Sequence, residues 1–402
     1  MTKNAIKIKV FPALNGDCIL FETSEKIFLI DGGYINTFND YLLGDLKSKS
    51  EEGKTISHLI VTHIDSDHIS GIVRLLEKNA NAGIISIENI WHNSYRHIKE
   101  LKELEDKSSL KDFKGKTDLI SLGKKSYLKE VIRGKQEISA EQGSALGALI
   151  LKGKYNWNLE FYEKAVSIDN SNFIQIDDDT SIRILSPDSQ KLSKLKRFWS
   201  RELYKNGFKI TEDDSNYDDA FEFLIAQEKE KKVFIEKDIS KGVINIEELS
   251  QVEFEEDTSV SNGSSISFVF EKNDKKLLFL ADSHPSIILE SLKKHYSEYD
   301  FPIEFDIIKL SHHGSVTNTS KELLKAIDSK NFIISSNGSK FGHPNIETIA
   351  RIINRKTDFI RNLHFNYPPK FIKEIDKKSL KDKYSFEICL PKEKSPIEIE
   401  VL

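Results

Sequence analysis

The stretch "LIVTHIDSDHISG" (residues 59–71) places His63, Asp65, Asp67 and His68 within six residues, directly after an apolar run. In an extended segment alternate side chains share a face, so His63, Asp65 and Asp67 are expected to point one way while Ile64 and Ser66 point elsewhere. His68 follows where the chain turns into a helix expected to begin near Ile69. One loop of this kind can serve two neighbouring cations. Imidazole mixed with carboxylate suits zinc, manganese or iron better than magnesium or calcium, which prefer oxygen shells. Taken singly, Asp67 reads as a helix N-cap and His63 as a hydrogen-bonded histidine at a strand end. Four such residues together after a buried strand favour the cation.

Working outward, the first ninety residues alternate strands and helices. "AIKIKVF" (5–11) and "CILFET" (18–23) flank Asn15-Gly16-Asp17, a turn sequence of the kind that joins hairpin strands. "KIFLIDGG" (26–33) is a strand ending in Asp31 and two glycines, and "ISHLIVT" (56–62) is a buried strand by its apolar continuity. Residues 95–172 and 188–256 change to charged, mostly helical segments that look inserted. Between them "FIQIDDDTSIRILSP" (173–187) reads as a hairpin. "SISFVFEKNDKKLLFLAD" (265–282) is a second hairpin, turning at Asn273-Asp274. This is α/β grammar. A C-terminal extension over about 356–402 holds two further strand candidates, "YSFEICL" and "IEIEVL".

Three more polar clusters end apolar runs. "LLFLADSHPS" places Asp282 where one carboxylate can bridge two ions, "DIIKLSHHGS" places His312 and His313, and "SNGSKFGHPN" places His343 in a glycine-flanked loop. Ligands at the carboxyl ends of several strands converge on one edge of a layered sheet. Of eleven histidines, five are the candidates named in these motifs, which is why the clusters read together rather than as scattered loop residues.

Composition bounds the reading without directing it. The chain has 402 residues, 38% hydrophobic and 31% charged, enough for a large core under a well-solvated surface. A net charge of -5 gives no global field toward nucleic acid or membrane, so such a partner must be argued from local patches. Cys18 and Cys389 are too few and too far apart for a disulfide framework or thiolate zinc site. The opening residues lack a signal-peptide apolar core, and no run of 18 apolar residues is present, so no membrane span and a cytoplasmic location are expected.

With these motifs in hand, "HIDSDH" resembles the HxHxDH signature of the metallo-β-lactamase superfamily, with Asp65 in the second histidine's place. "FLIDGG", "THIDSDHISG", "LLFLAD", "LSHHGS" and "FGHPN" come in the order expected of the branch that includes the hydrolase domain of the DNA-uptake protein ComEC. The resemblance spans roughly residues 1–92, 173–187 and 262–350. It implies one αββα-sandwich hydrolase domain over 1–402 carrying the two mainly helical insertions, and two divalent ions, Zn2+ or Mn2+. His63 and Asp65 would hold one ion, Asp67 and His68 the other, and Asp282 would bridge them. His343 and one of the adjacent pair His312 and His313 would supply further imidazoles, with His313 the favoured ligand of the two, and a His312 that stays off the metal would be a catalytic hydrogen-bond donor. Asp67 would orient the attacking hydroxide, and Asp31 would position the metal loop. Asp65 replaces a neutral ligand by an anion, which makes manganese more credible. No GHT-type motif lies between His68 and Asp282; His92 is a candidate substitute, though a pocket or insertion residue is the plainer reading.

The implied reaction is hydrolysis by a water activated between two metals, with a phosphodiester, and nuclease action, as the leading case. A small phosphoester, lactone or thioester would use the same metals. A partner-binding module with structural metals is the reading from a different class. Residues 114–135 hold seven basic against two acidic residues and 190–209 hold seven against one, the latter interleaved with Phe198, Trp199, Tyr204 and Phe208. Such segments attract backbone phosphates and can stack bases, unless the aromatic side packs inward.

Overall fold

A computed structural model describes residues 5–99, 101, 146–205, 244–392 and 395–402. Among them two large sheets pack face to face. The first joins β1 (Ile6–Val10), β2 (Ile19–Glu22), β3 (Ile27–Ile30), β4 (Ile56–Ile60), β5 (Ile87–Trp91), β6 (Asn156–Trp157) and β17 (Ile397–Val401), in the order β17-β1-β2-β3-β4-β5-β6. Its β17-β1-β2-β3 portion is antiparallel, and β3 through β6 run parallel. The second joins β7 (Phe173–Asp177), β8 (Thr180–Ser186), β9 (Ser267–Lys272), β10 (Lys275–Phe279), β12 (Ile307–Lys309), β14 (Asn331–Ile334), β15 (Arg361–Phe365) and β16 (Phe386–Cys389). Its order is β16-β15-β14-β12-β10-β9-β8-β7, antiparallel from β7 to β10 and parallel beyond. A small parallel pair, β11 (Ile303–Phe305) with β13 (Ile327–Ser329), sits beside it.

The strand alternation explains the layering. In β1, Ile6, Ile8 and Val10 face inward and meet Phe21, Phe28 and Ile60 from the same sheet and Phe268, Phe270 and Phe279 from the other. Phe21 stacks on Phe28 at 4.7 Å and meets Phe270 edge-on at 4.9 Å between ring centroids. The outer face of the first sheet carries Leu29, Leu59 and Val61 against Phe38, Leu46, Ile72 and Leu75 of two helical segments. The outer face of the second carries Leu278, Ile308 and Phe332 against Ile288, Leu323 and Ile349. Helix, sheet, sheet and helix therefore stack as the αββα sandwich expected.

Three local differences matter. The helix after β4 runs Ser66–Ala82, three residues earlier than the spacing suggested, with Asp65 extended at its N-cap and Gly83 left-handed at its end. Alternation therefore ends at Asp65, and Asp67 and His68 sit in the first helical turn. Residues 156–157 and the buried Phe161 and Val166, within the span read as inserted, join the first sheet and the shared core. The tail completes both sheets: β15 and β16 extend the second, and β17 pairs with β1 in the register Ile6↔Val401. No helix among the described residues is long and apolar enough to cross a membrane.

Candidate metal centre

The two "GG" and "SG" positions bring the metal loop to its sheet. Gly71 N donates to Gly33 O at 2.8 Å and Gly32 N to His68 O at 2.8 Å, and a Cβ at Gly71 would lie 1.9 Å from Gly32 O. Only glycine permits that approach. It sets the helix start beside Asp31, whose carboxylate accepts from Thr62 N (2.8 Å), Thr62 Oγ1 (2.7 Å) and His68 Nδ1 (2.8 Å).

Asp282, after β10, is buried, and neither carboxylate oxygen has a hydrogen-bond partner among the described residues. Four imidazoles surround it. His63 Nε2 and His312 Nε2 each lie 3.7 Å from Oδ2, while His68 Nε2 and His313 Nε2 lie 3.8 and 3.7 Å from Oδ1. These separations are too long for hydrogen bonds and suit atoms that share a cation about 2.0–2.2 Å from each. Ligand atoms of His63, His68 and Asp282 fall within 4.8 Å of one another, as do those of Asp67, His68 and His313. Asp65 Oδ2 lies 2.8 Å from His63 Nε2 and takes Ser261 Oγ at 3.1 Å on its other oxygen. His343 packs edge-on to His312, with 4.8 Å between ring centroids.

The hydrogen-bond network assigns the tautomers. His68 Nδ1 donates to Asp31, and His313 Nδ1 donates to Ser335 O at 2.9 Å. Thr62 Oγ1 gives its own proton to Asp31, so it accepts from His63 Nδ1 at 3.0 Å. Asn318 Nδ2 points at Asp257 (3.1 Å), which turns Asn318 Oδ1 toward His312 Nδ1 at 2.9 Å. Asn345 Oδ1 accepts Val316 N at 2.9 Å and so also accepts His343 Nδ1 at 3.2 Å. His63, His68, His313 and His343 thus hold a proton on Nδ1 and turn Nε2 away from its support, as ligand imidazoles do. His312 Nδ1 lies 2.9 Å from Asn318 Oδ1 and 3.4 Å from Asn262 Nδ2, and its Nε2 faces Asp282 as that of His313 does. Both histidines reach the same carboxylate because His312 (φ 45°), His313 (φ 56°) and Gly314 (φ 84°) are all left-handed. Such backbone costs about 1–3 kcal/mol per non-glycine residue and is held here by its surroundings.

The electrostatics fit a cation. Burial raises the Asp282 carboxyl, yet the imidazoles of His313, His312, His68 and His63 hold it well below the usual carboxylate range. Burial disfavours charge on His68, but Asp31 and Asp282 outweigh it and push it up to about 10. The pocket's field therefore places positive charge where the lone pairs converge, and a metal ion and a proton compete for that place. His343 is held well below its ordinary value by burial first and then by His312 and His313.

Several supporting residues carried no signal of their own in the sequence. Asn15, read as a hairpin turn, donates from Nδ2 to Asp67 Oδ2 at 2.7 Å and accepts from Tyr34 Oη at 3.2 Å. Asp17 and Lys309 form a buried pair at 2.6 Å, and Asp17 shares a ligand-atom group with Asp282 and His313. His92 lies in the pocket of residues 156–158: its carbonyl accepts from Trp157 Nε1 and Asn158 Nδ2, and its ring stacks parallel to Trp157. The basic segment 114–135 lies outside the described residues. Of 190–209, helix Ser189–Lys205 buries Leu192, Leu195 and Trp199 against Ile64, Tyr95 and Ile98, so Trp199 offers no face to a base, while Lys194 and Arg201 stay exposed.

Residues 12–135 match the sequence model of the family described as "Metallo-beta-lactamase superfamily". No curated protein matches the chain. Among solved structures it is similar to the metallo-beta-lactamase fold protein YhfI from Bacillus subtilis, at 12% identity and a TM-score of 0.37, over 99% of this chain and 100% of that one. It is also similar to a mutant of CmlA beta-hydroxylase, at 10% identity and a TM-score of 0.34, where it spans 55% of that chain's length. The family match over 12–135, together with the two-sheet architecture around it, identifies a metallo-beta-lactamase superfamily domain in this chain.

Proposed function

We propose that the chain is a metal-dependent hydrolase acting on a phosphodiester, with nucleic acid as the leading substrate class. The observation that carries this is the distribution of imidazoles on Asp282, two to each oxygen. One ion would be held by His63, Asp65, His312 and Asp282 Oδ2, and the other by Asp67, His68, His313 and Asp282 Oδ1. Two divalent ions, zinc or manganese, supply an acidified water and positive charge for the oxygen on which negative charge develops.

The chain's own residues do the rest. Asp282 ties the two ligand sets together. Asp67 is anchored through one oxygen to Asn15, itself held by Tyr34, which leaves the other oxygen to orient the attacking water. The first turn of helix Ser66–Ala82 favours the carboxylates beside it through its unpaired N–H groups. A phosphodiester substrate is supported by the basic helix 189–205, whose buried side packs on Ile64, between the ligand-loop residues His63 and Asp65. Its exposed Lys194 and Arg201 can attract a phosphate backbone close to the centre.

The test is a side-by-side assay of metal-stripped protein resupplied with zinc or manganese, against single-stranded DNA, bis(p-nitrophenyl) phosphate, a lactone and a thioester. Both diesters are expected to be cleaved, DNA at the lower KM, and Asp67→Ala to abolish both. Faster turnover of the lactone or thioester than of either diester would overturn the substrate class and leave the metal chemistry intact.

A further inference from the structure

We infer that Asp17 and Lys309 are a buried charge-balancing pair that positions His313 and sets how tightly the centre holds cations. This rests on the dinuclear reading above, in which His313 and Asp282 are ligands.

Asp17 lies in the loop between β1 and β2, and Lys309 ends β12; their side chains are 3% and 1% exposed, so solvent neutralises neither. Lys309 Nζ donates to Asp17 Oδ2 at 2.6 Å and to Leu310 O at 3.0 Å. Asp17 Oδ1 has no hydrogen-bond partner among the described residues and faces His313 Nδ1 at 3.5 Å. That nitrogen is the supported one, since it donates to Ser335 O, while Nε2 faces Asp282. Asp17 therefore acts from behind the imidazole and is a positioning residue, although its carboxylate also comes within 4.8 Å of ligand atoms of Asp31 and His68.

The loop is fastened from three sides by segments that carry the centre. Gly33 N donates to Asp17 O, Ser335 Oγ donates to Gly16 O, and a Cβ at Gly16 would lie 1.8 Å from Asp67 O. A shift of Asp17 would thus be felt by the residues beside Asp31, Asp67 and His313 together.

Charge gives the pair its second role. Asp17, Asp31, Asp65, Asp67 and Asp282 are all buried around this centre. Two divalent ions and the Lys309 ammonium match those five carboxylates, which is the balance a low-dielectric site requires. Without Asp17, the Lys309 charge is unpaired and repels the ions. Without Lys309, Asp17 is free to pull His313 from its place. An ion pair kept for stability alone would have no need of an unfilled oxygen aimed at a ligand imidazole.

The test uses the full chain, stripped of metal, checked for folding by circular dichroism, and titrated calorimetrically with zinc and spectroscopically with cobalt(II). Asp17→Asn is expected to weaken at least one of the two binding steps about 10–100-fold, the range typical of supports behind ligands. Lys309→Met is expected to change the cobalt(II) visible spectrum, and the charge-neutral double variant Asp17→Asn/Lys309→Met to recover zinc affinity to within about threefold of wild type. If Asp17→Asn does not fold, Asp17→Glu keeps the charge but displaces it and is expected to alter the cobalt(II) spectrum. Wild-type zinc affinity and cobalt(II) spectra in folded single variants, with only a lowered melting temperature, would overturn the inference and leave the dinuclear reading standing. A wild-type protein that fails to bind two equivalents would overturn both.

Discussion

The two sheets equip the centre in different ways. The first supplies its ligand candidates from one run, His63 to His68, and backs both of that run's histidines with one charged group: Asp31 takes His68 directly and His63 through Thr62. The second supplies Asp282, His312, His313 and His343 from three separate strand ends and holds its histidines by hydrogen bonds to the neutral groups Asn318, Ser335 and Asn345, with the Asp17 carboxylate more distant behind His313 at 3.5 Å. Charged backing makes an imidazole a stronger electron donor, whereas neutral backing mainly fixes its orientation. The first sheet thus tunes strength and the second sets geometry.

The largest expected effect lies where the sheets meet. Asp282→Ala should leave no tightly bound metal by elemental analysis and no measurable hydrolysis; one retained equivalent with activity would mean the sheets do not share that carboxylate. Next, Asp31→Asn should weaken zinc binding about 10–100-fold by calorimetry, and Asn318→Ala by about tenfold or less. Equal losses would break the contrast between charged and neutral backing. A smaller effect is expected from Lys194→Glu with Arg201→Glu: about a tenfold higher KM for single-stranded DNA, with a weaker salt dependence and unchanged cleavage of bis(p-nitrophenyl) phosphate.

A separate pH effect is expected away from the centre, on β15, where burial lowers His364 to about 4. Its unfolded form takes a proton near pH 6.5, so the unfolded chain binds more protons between pH 6.5 and 4. The sign follows: the neutral ring costs nothing above that window, and folding weakens as pH falls through it, by at most about 3 kcal/mol. His364→Gln should flatten the thermal-melt profile in this range.

The same contrast explains what the sequence disclosed. Local runs were legible: "DGG", "THIDSDH" and the strand ends before Asp282 and His312 signal themselves by ligand type after apolar continuity. Those strands disclosed an α/β chain, and the αββα layering was implied only by the family resemblance the motifs carry. Helix Ser66–Ala82 began earlier than expected because Asp65 takes the N-cap place while its side chain is committed to Ser261. Asn15 and Asp17 stayed hidden because "NGD" has the composition of an ordinary turn, and their roles arise only when residues some 50 and 290 positions away arrive beside them. The His312 tautomer was likewise out of reach. It depends on the Asn318 and Asn262 amides, both held by Asp257, which present an oxygen and an N–H to the same ring nitrogen.

Pairing of β17 with β1 sets a schedule for biosynthesis. The two partners are hundreds of residues apart in sequence, with Ile6 opposite Val401, so β1 leaves the ribosome long before its outer neighbour exists. Until then one flank of the nascent first sheet stands open to intermolecular strand pairing, and closing it demands a contact between residues hundreds of positions apart. Chaperone capture during translation would protect this flank, and deleting residues 397–402 should promote aggregation even though none of them comes from a ligand-bearing segment.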